Sequence, residues 1–209
     1  MTGLLRGPKE LGPARAVCGL AALIPLVSLA QGEADPRPEP NLALGCAVTF
    51  DTPPNNASAT DPDDARQLVD GRLSPETPMW YDKSAVGWLF TDPTVFTLDL
   101  GSIRPIRGVG LHVGAGQAGV EWPASFHLYV SDDGDRFSHV GDLMRMLTAS
   151  PPEEGYAALW LVADRLETHG RYVRFVGSPV NRGNGAYIML DEAEVYEGDA
   201  AWLDRPLVY

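Results

Sequence analysis

The chain has 209 residues, 28 acidic against 16 basic side chains, a formal net charge of −12 at pH 7 and 44% hydrophobic residues. Once the first thirty residues are set aside, 13 basic side chains face 27 acidic ones, a net of −14, and no basic cluster remains. That balance argues against nucleic acid, whose affinity rests on phosphate neutralisation, and it disfavours an anionic membrane as a partner.

In chain order, the first segment is an export signal. Arg6, Lys9 and Arg15 make a basic start, Ala16 to Ala30 is an uncharged apolar run of 15 residues, and Ser28 and Ala30 supply the small residues a signal peptidase needs. The run is short of the roughly 20 residues that span a bilayer as a helix, and Pro25 interrupts it. Residues 1–30 are therefore assigned as a signal peptide, which implies a secreted protein, extracellular or periplasmic. Residues 31–40, rich in Pro, Glu and Asp, read as a flexible linker. Residues 41–197 have the size of one domain, and residues 198–209 form a C-terminal tail. Within the mature chain Cys46 has no disulfide partner, and it reads as a small buried residue or, alternatively, a reactive thiol.

The domain carries the two-residue period of strands and no sustained helical period. Strands are expected at Ala47 to Phe50, Gly87 to Phe90, Thr94 to Leu100, Ile106 to Val113, Ser125 to Ser131, Phe137 to Val140, Ala158 to Val162, Tyr172 to Val176 and Tyr187 to Tyr196. Phe96, Leu98 and Leu100 share one strand face with Thr97 and Asp99 opposite, and Phe126, Leu128 and Val130 repeat the pattern. Asp132-Asp133-Gly134-Asp135 carries an Asp-Gly hairpin signal. A short helix is expected near Asp63 to Leu68. Strands this close together leave no room for the crossovers of a parallel sheet, so the class is all-β, a sandwich or barrel.

Six pieces in order resemble the coagulation-factor type C, or discoidin, domains and the related family 32 carbohydrate-binding modules. They are Asn41 to Thr49; Leu68-Val69-Asp70-Gly71; Phe96 to Gly101 followed by Ile106 to Val109; Ser131 to Gly134; Gly170 to Arg174; and Asp191 to Tyr196. The resemblance implies an eight-stranded jelly-roll β-sandwich of the galactose-binding-domain kind that takes ligands in loops at one end. Many members tie their chain ends with a disulfide, but Cys46 has no partner near Tyr196, which fits the carbohydrate-binding branch.

The same resemblance implies a structural calcium ion, Ca2+, between the Asp-Gly loop and the last strand. Asp70 and Glu192 match the side-chain ligands, Arg72 and Asp191 would offer carbonyls, and Thr77 or Ser74 a hydroxyl. Such hard oxygen donors are what the ion needs. The competing reading makes Asp70 a turn builder and Glu192 a solvated strand end. Asp61, Asp63 and Asp64 lack the glycine and terminal glutamate of an EF-hand loop and read as turn and helix-start residues.

For sugar, a flat aromatic ring must lie against the C–H face of a pyranose with polar groups to fix its hydroxyls. Tyr187 stands where the family places such an aromatic, Asn184 precedes it, and Trp88, Trp122 and His112 lie beside expected loops. Trp80 and Trp160 read as core. Tyr187 and Asn184 also have bland readings, as a strand residue and a turn former. Four histidines, His112, His127, His139 and His169, lack the spacing of a zinc motif, and no nucleophile elbow or phosphate-cradling loop occurs. His127, on the polar side of its strand, reads as a surface residue.

These observations point to a secreted non-catalytic module for a glycan or polysaccharide. Two alternatives stay open: a protein-protein adhesion or assembly domain, and an accessory domain of a larger secreted hydrolase, for which an exposed Trp202 in the tail would suit contact with a neighbouring domain.

Overall fold

The computed structural model describes residues 37–75, 78–181, 183 and 185–209. The expected signal peptide, most of the linker, Thr77 and Asn184 lie outside the described residues.

Among the described residues eight strands form, all paired antiparallel: β1 (Ala47–Phe50), β2 (Val86–Leu89), β3 (Thr94–Ala115), β4 (Ser125–Ser131), β5 (Ser138–Asp142), β6 (Ala157–Ala163), β7 (Thr168–Ser178) and β8 (Tyr187–Glu197). Two single-turn helices, α1 (Asp64–Gln67) and α2 (Leu143–Met146), interrupt them. The segments expected as two strands, Thr94 to Leu100 and Ile106 to Val113, are one continuous β3. Gly101, at φ +79°, and a register shift between Asp99 and Arg104 turn that strand without ending it. Its first half pairs with β1 and β7, and its second half with β6 and β8. One sheet is thereby curled into two layers: β1, β3, β7, β4 and β5 make the larger, and β6, β3, β8 and β2 the smaller.

Alternation buries one face of each layer against the other. Phe96 sits at the centre, stacked on Phe175 at 4.8 Å and on Trp88 of the smaller layer at 6.0 Å, with Phe126 edge-on at 6.5 Å. Each such fully buried ring stabilises the fold by about 1.5–3 kcal/mol relative to exposure. A second cluster, built from Ala59, Met79, Trp80, Ala85, Ala115, Val120 and Met189, lies on the outer side of the smaller layer. Gly114 of β3 makes that approach feasible, since a Cβ there would come within 2.6 Å of the Met79 side chain.

The hairpin joining β4 to β5 forms as its residues dictate. Gly134 takes φ +81°, and Ser131 Oγ accepts from the Gly134 N–H at 2.9 Å. Asp133 Oδ1 accepts from the N–H groups of Asp135 and Arg136, which hold its carboxyl well below the usual carboxylate range.

The C-terminal tail packs back on the domain, and the exposed Trp202 expected there is not observed. Trp202 is half-buried, packs over Gly198 and gives its carbonyl to His169 Nδ1 at 2.9 Å. Leu207 packs on the main core, and Ser138 Oγ donates to the Val208 carbonyl. No helix among the described residues is long and apolar enough to cross a membrane.

Candidate functional site

Strand register gathers five loops at one pole of the sandwich: the segments after β1, between β2 and β3, between β3 and β4, after α2, and between β7 and β8. Several contacts tie them together. Asn55 donates to and accepts from the backbone of Leu89, Ser178 Oγ donates to Asp92 at 2.9 Å, and Trp122 Nε1 donates to the Pro152 carbonyl at 2.8 Å.

Aromatic side chains rim this pole around the second cluster. Trp122, Tyr156 and Tyr187 are half-buried against it. Trp80, itself buried, meets Tyr156 edge-on at 5.2 Å and Tyr81 at 6.2 Å, and Tyr81 is 66% exposed. The Tyr187 ring lies over Gly185, where any Cβ would come within 2.1 Å of it. Gly185 is therefore what lets the ring pack this close to the backbone.

Two expected platform residues need correction. Trp88 is 1% exposed, stacked in the main core, and its Nε1 donates inward to the Thr52 carbonyl at 2.8 Å, so neither ring face is open to a sugar. His112 does point away from the core, as alternation requires, but it is 6% exposed, with Nδ1 2.6 Å from Asp191 Oδ1 and its ring tilted on Trp160 at 5.2 Å. Trp160, expected in the core, lies half-buried on the outer face with the Arg37 guanidinium 4.2 Å above its ring. Tyr81 and Tyr156 were not singled out by sequence. The run Pro78-Met79-Trp80-Tyr81, two adjacent aromatics after a proline, was the available signal.

The Asp-Gly loop and the last strand do meet. Glu192 is wholly buried, and its Oε2 accepts from the Gly71 N–H at 3.0 Å; Asp191, also wholly buried, accepts from the Ser74 N–H at 2.7 Å. Adjacent carboxylates on β8 thus dock two points of one loop. Asp70 Oδ1 accepts from the Arg72 N–H at 3.0 Å, the turn geometry of the competing reading, and Arg72 is exposed. Glu192 is not the solvated strand end that reading proposed. Burial, with the charges of Asp70, Glu194 and Asp191 adding to it against the Gly71 hydrogen bond, pushes its carboxyl up to about 9.

Two buried oxygens at this contact, Glu192 Oε1 and Ser74 Oγ, have no hydrogen-bond partner. Buried polar atoms are rarely left so. A carboxylate and a hydroxyl are the hard donors calcium takes, so the residues present fit the ion. The Asp191 carboxylate is already engaged by His112 and Ser74. Among the described residues no group of three or more His, Cys, Asp or Glu converges as a metal cluster, so backbone carbonyls would have to complete the shell.

The Asp61 to Asp64 stretch builds local structure. Asp61 Oδ1 accepts from the Asp63 N–H at 2.7 Å, and Asp64 Oδ1 accepts from the Asp61 N–H at 2.8 Å. Cys46 is half-buried, and burial, together with the nearby Asp99 charge, pushes its thiol up to about 12, which leaves it inert as a nucleophile.

No protein-family model and no curated protein matches the sequence. Solved structures do resemble it. The lectin domain of lectinolysin, complexed with Lewis B antigen, aligns with a TM-score of 0.50 at 17% identity, covering 78% of this chain and 100% of that one. Chitosan-binding module 1 of a chitosanase/glucanase from Paenibacillus sp. IK-5 aligns with a TM-score of 0.49 at 21% identity, covering 76% and 99%. The module CpGH89CBM32-6 of Clostridium perfringens gives 0.46 at 19%, covering 76% and 100%. At such identities the likeness is one of fold alone: a curled, antiparallel eight-stranded jelly roll like that of the lectin domain.

Proposed function

We propose that the protein is a secreted, non-catalytic module that binds carbohydrate at the aromatic-rimmed loop pole. The observation that carries this reading is the set of partly open rings, Tyr81, Tyr156, Trp122 and Tyr187, held around one packed cluster. Rings fixed from below, with a face or edge toward solvent, suit the C–H side of a pyranose, and their pre-organisation limits the entropy lost on binding. The solved lectin domain that shares the fold was captured with Lewis B antigen, which makes fucosylated oligosaccharides a natural first probe.

A structural calcium ion belongs to the same reading. Glu192 Oε1 and Ser74 Oγ would hold it, and its part would be to fix the Asp-Gly loop against β8, with no chemical step.

The test is a glycan array with the folded protein, run in calcium and again in chelator. Specific hits that Tyr187→Ala weakens, in a variant with unchanged circular dichroism, support the proposal. A blank array from folded protein overturns the carbohydrate reading and favours a protein partner at the pole. An unchanged melting temperature on adding calcium overturns the ion.

A further inference from the structure

We propose that His127 and His139 form a binding site for a borderline divalent transition metal, with zinc as its probe, on the outer face of the β4–β5 hairpin. These side chains lie on the outer face of the larger layer and are not among the aromatic residues that rim the loop pole.

The hairpin brings together two residues twelve positions apart. Its register shifts between Leu128 and Tyr129: Leu128 pairs with Gly141 but Tyr129 pairs with His139, leaving Val140 as the extra residue of a bulge. His127 and Tyr129 point to the same outer face, and the bulge lets His139, opposite Tyr129, reach diagonally to His127. His127 Nδ1 and His139 Nε2 come within 3.2 Å, with ring centroids 5.3 Å apart and planes at 51°.

That separation suits an ion. With zinc–nitrogen bonds of about 2.0–2.1 Å and tetrahedral angles, two coordinated nitrogens stand about 3.3–3.4 Å apart. The nitrogens need to part by only about 0.1–0.2 Å to admit zinc, with each ring turned so that its nitrogen aims at the ion instead of at the other ring. In the metal-free pair one facing nitrogen donates to the other in an N–H···N hydrogen bond; for an ion to take both lone pairs, the donating ring gives up that proton to solvent and takes one from solvent on its other nitrogen, so both ligands stay neutral imidazoles and no net proton is released.

The surroundings favour such a site. Both histidines stand on paired strands, and the Tyr129 ring packs against His139 at 4.9 Å, which fixes its orientation. His139 is exposed and His127 half-buried, so water can fill the remaining coordination positions. The nearest cation in register, Arg174 opposite Tyr129, is held away over Phe137 at 4.0 Å and on Asp51 at 3.3 Å. Among the described residues no third His, Cys, Asp or Glu joins the two imidazoles, so the site is an exchangeable one. Imidazole donors select zinc or copper, whereas the oxygen donors around Glu192 select calcium, and the two ions should not compete.

The experiment is titration of the tag-free full chain with zinc against a chromophoric chelator, in excess calcium. One zinc per chain is expected, weakened about tenfold or more by either His127→Ala or His139→Ala and lost in the double variant. Copper(II) bound to the unaltered protein should show two equatorial nitrogens by electron paramagnetic resonance, a readout that needs no variant. Absence of zinc binding by the folded protein overturns the proposal and leaves the pair as a hydrogen bond alone. So does binding that survives the double variant, which would place the metal on the acidic surface, and so does a copper spectrum lacking the two nitrogens.

Discussion

The outer faces of the two layers have opposite fates. On the smaller layer Gly110, His112, Gly114, Glu192, Glu194 and Tyr196 are all buried, under Met79, Trp160 and the loops that carry the pole. On the larger layer Ala47, Thr49 and His139 are exposed, and a groove of about 340 Å³ runs past Asp51, Asp99, Tyr172 and Arg174, bordered by the Asp133 to Asp135 turn. A covered sheet face demands glycines where loops press close and partners for every polar atom it traps. A bare face demands neither. The covered face holds the unpartnered Glu192 Oε1, and the bare face carries solvent-facing ion pairs such as Arg171 with Asp99.

The comparison breaks most sharply at Met79. This side chain is 1% exposed between the covering loop and Gly114, so Met79→Ala should cost about 2–5 kcal/mol in chemical denaturation. A cost below about 0.5 kcal/mol, the range of ordinary surface changes, would mean that the loop only rests on the sheet.

A smaller effect is expected at Glu192. Its carboxyl is held near 9 when folded against an ordinary value of 4.5, so the folded state keeps a proton the unfolded chain releases. The stability this supplies is complete below about pH 4.5 and falls as pH rises through 9. Asp64, pushed up to about 6 chiefly by burial, adds the same sign at the acid end. Melting temperature without calcium should therefore decline from pH 6 to 9, and Glu192→Gln should flatten that decline. If calcium is held there, its stabilisation should grow over the same interval. A flat profile for the unaltered protein would show that the covered carboxylate has another counter-charge.

The smallest effect belongs to the bare face. Thr49→Ala, at an exposed position of β1, should change stability by no more than about 0.5 kcal/mol. A larger loss would show that the groove is covered by something in solution.

Much of this fold could be read from residue order. Alternation marked β1 and β4 at their observed ends and the remaining strands to within a few residues, because the core face is apolar throughout and the opposite face is not. The break assumed between Leu100 and Ile106 failed for a local reason. Gly101 and Pro105 look like strand terminators, yet here the glycine turns a continuous strand and Pro105 still aligns with His169. The site was harder to read. A tryptophan beside a loop can face out or in, and Trp88 faces in because Phe96 and Phe50 meet its ring. His112 lies on the outward face, but its cover comes from Asp191, 79 residues away, which no local pattern encodes. The His127 and His139 pair was hidden for the opposite reason: the hairpin was evident, but the one-residue bulge that aligns the rings was not.

The sharing of β3 between both layers has a kinetic consequence. Neither half of the sandwich possesses a complete sheet without that strand, so the layers cannot be prepared separately or collapse one after the other. Its pairings join residues far apart in the chain, as with Thr97 and Arg174 at a separation of 77. Closing such loops before any contact rewards them places the domain among slow folders, in the range of milliseconds to seconds. Until β7 and β8 have been synthesised, β3 has only β1 and β6 to pair with, and its long apolar run is most open to aggregation during that interval.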